Sequence, residues 1–156
     1  MDINFEWLED RIFHRHLSTA ERSVLATDMH VSEFKKGDVL IGEGDHSDGL
    51  YLLYSGRAGI QHDSHGEKVR VSEVGEGAQL GDMAIFDDEP SSATVTALGE
   101  CVAYKLSRRA LGNLMADHPD MAKDIMMNTI RQLAGIIRSM NSANAYTQQY
   151  IYGRKV

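Results

Sequence analysis

From residue 31 to residue 106 the chain is cut into short β-type runs by Gly and Asp, and this punctuation restricts the fold more than any other feature. The runs are 38–41, 50–54, 57–60, 68–71, 93–97 and 101–106. Apolar and β-branched segments recurring about every ten residues, with turn formers between them, call for a sandwich or closed barrel. A compact antiparallel β-roll, jelly-roll-like with the winding of a double-stranded β-helix, is expected over 31–106. Helical periodicity flanks it on both sides, so the class is α+β. The whole of 1–156 reads as one domain, with N-terminal helices in 1–30 and C-terminal helices in 107–150.

Phe5, Leu8, Ile12 and Phe13 recur at helical spacing, and Ser18-Thr19-Ala20-Glu21 has the form of a capping box, so 4–29 reads as two short helices. His14 and His16 read as surface residues on a helix. The segment from His62 to Glu67 reads as a hairpin loop, and its two histidines and aspartate as a solvated turn rather than a metal site. Cys101, the single cysteine, falls in an alternating run and reads as a packed, unreactive thiol. Arg57 and Arg70 read as outward-facing charges.

After Leu106 the period is helical again. Residues 107–116 make a short helix, and Pro119 suits the first position of a long one, with Asp120 favourable to its dipole. That helix is free of further proline and reaches to about Tyr150, a span of roughly 45–50 Å, too long to lie wholly on a domain of this size. Met126, Ile130, Leu133, Ile137 and Met140 alternate spacings of four and three, and Asn144 takes the next seam position, where a buried polar residue fixes register in a two-stranded coil. A neighbouring stripe, Ala122, Ile125, Thr129 and Ile136, widens the apolar face. One stripe is expected to pack on the roll and the other to meet a second copy of the chain. Gly135, unfavourable inside a helix by about 1 kcal/mol relative to Ala, suits a close approach of two backbones.

The formal net charge of −7 disfavours nonspecific contact with nucleic acid, which relies on clustered Lys and Arg. No apolar run approaches the roughly 20 residues that cross a bilayer, and the N-terminus lacks the order of a secretory signal; the chain reads as cytoplasmic, with no membrane contact. No hydrolase elbow, zinc-protease helix, phosphate-binding Gly-rich loop or paired-cysteine motif occurs, so an enzyme is not expected.

Two motifs then stand in a telling order. The first is the glycine-punctuated stretch from Phe34 to Gly56, with turns at Gly37, Gly44 and Gly56; the second runs from Gly81 through Pro90 to Val95. Together, inside a helix–roll–helix frame, they resemble the cyclic-nucleotide-binding domain, and the second is similar to that family's phosphate-binding cassette. The resemblance implies a regulatory module with a ligand such as cyclic AMP or cyclic GMP, no other cofactor, and a site built from Gly81, Asp82, Met83, Ala84, Ser91, Ser92 and Ala93. The family places a glutamate where Asp82 stands and an arginine where Ser91 stands. The alternative is a member that has lost the nucleotide and acts as a dimerisation or protein-interaction module. Transcription factors of the catabolite-activator type share the roll and long helix but continue into a helix-turn-helix; with only 150–156 after the helix, DNA binding by this chain alone is not expected.

Overall fold

The computed structural model describes residues 2–152, with side chains through Gln148; Met1 and 153–156, on which part of the signal and tail readings fall, lie outside the described residues. Helix α1 (Phe5–Leu8) runs into a π-helical turn (Glu9–Phe13), and α2 (Thr19–Asp28) follows. Eight strands come next: β1 (Met29–Phe34), β2 (Val39–Ile41), β3 (Gly49–Ser55), β4 (Ala58–Ser64), β5 (Glu67–Val74), β6 (Gln79–Leu80), β7 (Thr94–Ala97) and β8 (Cys101–Ser107). Helix α3 (Asp82–Phe86) interrupts them after β6, and α4 (Arg108–Asp117) and α5 (Pro119–Tyr152) complete the chain. The strands form two antiparallel sheets, ordered β1-β8-β3-β6 and β2-β7-β4-β5. This is the expected jelly-roll-like α+β arrangement.

The run Leu50-Tyr51-Leu52-Leu53 is apolar throughout because β3 is covered on both faces. Successive side chains point to opposite sides. Leu50 and Leu52, with Tyr104 and Leu106 of β8, join a core under the helices that holds Leu8, Ile12, Leu25, Leu114 and Ile125. Tyr51 and Leu53 turn the other way, into the roll, with Leu40, Val95, Ala97 and Cys101. The Cys101 thiol is buried there and donates to the Arg57 carbonyl at 3.1 Å. Gly56 makes the corner between β3 and β4 at φ +88°, where a Cβ would sit 2.4 Å from the Glu100 carbonyl oxygen.

Several local expectations need correction. The hairpin turn between β4 and β5 is only His65-Gly66, both at positive φ, and His62–Ser64 belong to the strand. Two left-handed residues match the twist of a tight hairpin, so the turn formers around them are drawn into the ladder. His14 and His16 do not lie on a helix: His14 ends the π-helical turn at φ +53°, and both are exposed in the link to α2. Strand β6 escapes the sequence pattern because two residues are too few to alternate. Helix α5 extends two residues further than expected, to Tyr152.

Helix α5 divides its faces largely as expected. Met121, Ala122, Ile125, Asn128 and Thr129 are buried against the body of the protein, whereas Met126, Ile130, Ile137 and Met140 are 38–59% exposed. Ile136 departs from the inner stripe: it is 54% exposed, because the helix has left the roll beyond Gln132.

Candidate functional site

The expected ligand-site residues, Gly81 to Ala84 and Ser91 to Ala93, lie between β6 and the start of β7, and the sequence forces their path at Gly81. This residue adopts φ +77° and precedes α3. A Cβ there would meet the Gly49 carbonyl oxygen at 2.8 Å and Ser47 Oγ at 3.3 Å, so the cassette and the entry to β3 approach too closely for a side chain. Ser47 is buried and its hydroxyl donates to the Gly49 carbonyl at 2.9 Å, with the Gly81 carbonyl 3.4 Å away.

The far end of the cassette is fixed by main-chain exchange with the loop before β3. Gly44 N–H donates to the Ser91 carbonyl at 2.8 Å, and Ser91 N–H donates to the Asp45 carbonyl at 2.9 Å. Thr94 Oγ1 accepts from Glu43 N–H at 3.1 Å. Ser91 is therefore held in place by its backbone while its side chain, 8% exposed, has a hydroxyl without any hydrogen-bond partner among the described residues. Buried polar atoms are nearly always paired, and an unpaired one marks a position where a further group would be accommodated favourably.

The remaining expected residues are placed unevenly. Ala84 is buried against the core, Met83 is 53% exposed, and Ser92 is exposed with its carbonyl 2.8 Å from His62 Nδ1. Asp82 is partly buried at the start of α3, and that burial pushes its carboxyl above the usual Asp range, with the amides of Met83 and Asp82 itself opposing the shift. Neither Arg57 nor Arg70 serves the cassette: both pair with Glu73 on the β4–β5 surface, at 3.8 and 3.1 Å.

Among the described residues the cation that touches the cassette is Arg108, at the start of α4. Its guanidinium donates to Asp88 Oδ1 at 3.0 Å and to the carbonyls of Ala84 and Ser47 at 3.3 Å. It thus ties together the end of α3, the loop after it and the entry to β3. Sequence reasoning passes over Arg108 because nothing in the pair Arg108-Arg109 says which one reaches the cassette. The acidic residues of the loop are thereby only partly balanced: Asp82, Asp87 and Glu89 have no basic partner at hydrogen-bond distance among the described residues.

Strand β6, which leads into the cassette, meets α5. Gln79 of β6 bonds Asn128 and Thr129, a contact the sequence pattern conceals because Thr129 reads as one member of an apolar stripe. Among the described residues no group of three or more His, Cys, Asp or Glu is placed to hold a metal ion. Among the described residues no helix is long and apolar enough to cross a membrane.

The sequence profile of the cyclic nucleotide-binding domain matches residues 31–118. The cGMP-dependent protein kinase of Eimeria tenella is 33% identical over 133 residues, which make up 83% of this chain and 13% of that protein. The chain thus spans about an eighth of the length of that relative, and 35% of the cAMP-dependent protein kinase regulatory subunit of Dictyostelium discoideum. Among solved structures, a cyclic nucleotide-binding domain from Methylobacillus flagellatus superposes with TM-score 0.76 at 24% identity, over 97% of this chain and 84% of that one. A mutant regulatory subunit of a cAMP-independent protein kinase A from Trypanosoma brucei, solved with cAMP in its A site, has TM-score 0.66 at 25% identity, over 81% of this chain and 44% of that one.

Proposed function

The chain belongs to the cyclic nucleotide-binding domain family, and from that membership we propose that it is a non-catalytic, cytoplasmic regulatory module whose residues 81–93 receive a cyclic nucleotide such as cAMP or cGMP. The observation that carries this reading is the cassette itself. Gly81 opens a short helix at positive φ, and Ser91 is fixed on both sides by the loop before β3 with its hydroxyl unpaired among the described residues. Asp82 stands where a ribose hydroxyl would be accepted.

Binding is weak in this reading. An arginine at position 91 would supply charge-assisted bonds of about 1.5–3 kcal/mol each, so a serine there costs roughly a hundredfold in affinity. Isothermal titration of the wild type with cAMP and cGMP should give dissociation constants in roughly the high micromolar range, and Ser91→Arg should tighten cAMP by about tenfold or more. No heat from either protein would remove the cyclic nucleotide from this site.

A second reading is favoured by the outer stripe of α5. Met126, Ile130, Leu133, Ile137 and Met140, with Asn144 at the polar seam position, form a dimer helix that would cover apolar surface left bare in one copy. Beside it an apolar hollow of about 280 Å³ opens between α4 and α5, lined by Met115, Met126, Met127 and Ile130. In this reading the module acts as a homodimer, and the two functions are compatible in one chain.

A further inference from the structure

His62 of β4 holds its ring against the far end of the cassette. Its Nδ1 lies 2.8 Å from the Ser92 carbonyl oxygen and 3.0 Å from Glu43 Oε1. Both oxygens only accept, so Nδ1 carries a hydrogen and offers it to the two of them. Glu43 is itself fixed: its Oε2 accepts from Asp63 N–H at 2.8 Å, and its own N–H donates to Thr94 Oγ1 at 3.1 Å. The ring is thereby seated one residue from Ser91, while its Nε2 has no hydrogen-bond partner among the described residues.

With Nδ1 occupied, Nε2 is the nitrogen that gains or loses the second proton. Imidazoles in general make that change near pH ~6.5, and the gain creates a charged N–H donor. Arg108 already has its guanidinium engaged by Asp88 and by the carbonyls of Ala84 and Ser47. Among the described residues His62 is therefore the remaining group at the cassette able to turn positive. The nearby loops are otherwise acidic, with Glu43 and Asp45 before β3 and Asp82, Asp87 and Glu89 in the cassette. On β5, Val69 stands opposite His62; Lys68, paired in the ladder with Asp63, and Arg70, bonded to Glu73, alternate to the other face of the sheet. Strand β7 contributes the neutral Thr94.

We propose that His62 is the cation of the ligand site: protonated at Nε2, it meets the phosphate charge that Ser91 leaves unanswered and makes cyclic nucleotide binding stronger in weak acid than at neutral pH. This inference rests on the reading of residues 81–93 as the ligand site. In weak acid the imidazolium and Glu43 sum to no charge and present a donor to an anion. With the imidazole neutral the same pair carries one negative charge and repels one. Asp82 acts in the same sense, because burial lifts its carboxyl above the usual Asp range and it sheds charge on the acid side.

The test is titration calorimetry of the full chain at about pH 5.5 and about pH 7.5, with cAMP and with adenosine, which has the same base and sugar but no phosphate. The wild type should bind cAMP about tenfold tighter at the lower pH, the ratio of imidazolium at the two values, and adenosine equally within about twofold. The variant His62→Gln keeps a donor for the Ser92 carbonyl but carries no charge. Its cAMP affinity should rise in acid by less than about threefold, while its adenosine affinity stays within about twofold of wild type, showing the site intact. A wild-type cAMP affinity that does not rise in acid, an equal rise for adenosine, or a larger rise in His62→Gln overturns the role of His62 and leaves the ligand reading standing. Heat with cAMP from Ser91→Arg but from the wild type at neither pH does the same. No heat from any of these proteins with either ligand removes the ligand reading, and the role of His62 falls with it.

Discussion

Asp82 and Ser91 occupy opposite ends of one short segment and are poorly served in different ways. Ser91 has a buried hydroxyl without a partner among the described residues, and Asp82 has a carboxylate drawn away from water. Because burial raises the folded pKa of Asp82 above its unfolded value, the folded state favours the protonated acid. Its share of stability is therefore present below the usual Asp range and is lost as pH rises through the folded pKa. Asp82→Asn should accordingly raise the urea midpoint at about pH 7, with the gain gone by about pH 3. An equal gain at both pH values would mean that the asparagine acts through packing and that the carboxyl is not strained. Both residues are legible in the sequence, since each replaces a residue of defined chemistry at a defined place. Arg108 is not, because its reach to Asp88 depends on α4 starting beside the loop after α3.

At the scale of elements, the N-terminal helices show how a π-helical turn earns its place. It carries Glu9, 7% exposed, which accepts from Leu17 N–H at 2.8 Å and from Arg22 at 2.7 and 3.1 Å, joining α1 to α2. The Leu17 amide first, then Arg22, lower its pKa to about 2 against the opposing effect of burial. The carboxylate thus contributes stability above its unfolded value and loses that contribution as pH falls through about 2. Glu9→Gln should lower the urea midpoint at neutral pH, and the gap from wild type should close as pH falls from about 4.5 toward 2. A gap independent of pH would show that the charge is not what matters. The capping box of α2 is visible in the sequence and present in the structure: Glu21 N–H donates to Ser18 Oγ, and Ser18 N–H to the Glu21 carboxylate. The π-helical turn is invisible in sequence, because Ile12 and Phe13 fit α-helical spacing and the wider turn shows only in the folded chain, where it packs on α5 and binds Leu17 and Arg22 through Glu9. The inner face of α5 is legible only in part: Ile125 follows from spacing, whereas Asn128 and Gln132 have polar side chains that spacing assigns to solvent and the network with β6 brings inside.

At the scale of the whole molecule, the 34 residues of α5 span about 51 Å, and its outer stripe extends past the end of the roll. Sedimentation of the wild type at micromolar concentration should give a dimer, and Ile137→Asp should weaken association by about a hundredfold, since it places a charge in the seam. A wild-type monomer, or an unchanged dimer in the variant, would exclude that seam. The β4–β5 hairpin presents a different surface. Strand β5 closes its sheet with an outer edge that no described strand covers, and Val69 and Val71 are 49% and 67% exposed there. Ladders of this kind invite a stranger's backbone and are where fibrils begin. Here the flanks carry Lys68, Arg70 and Glu73, and the register slips between Ile60 and Gln61, leaving Val71 as the extra residue of a bulge. The bulge bends the edge and the charges set the sign an incoming strand must match, so the chain resists aggregation there without shortening the strand.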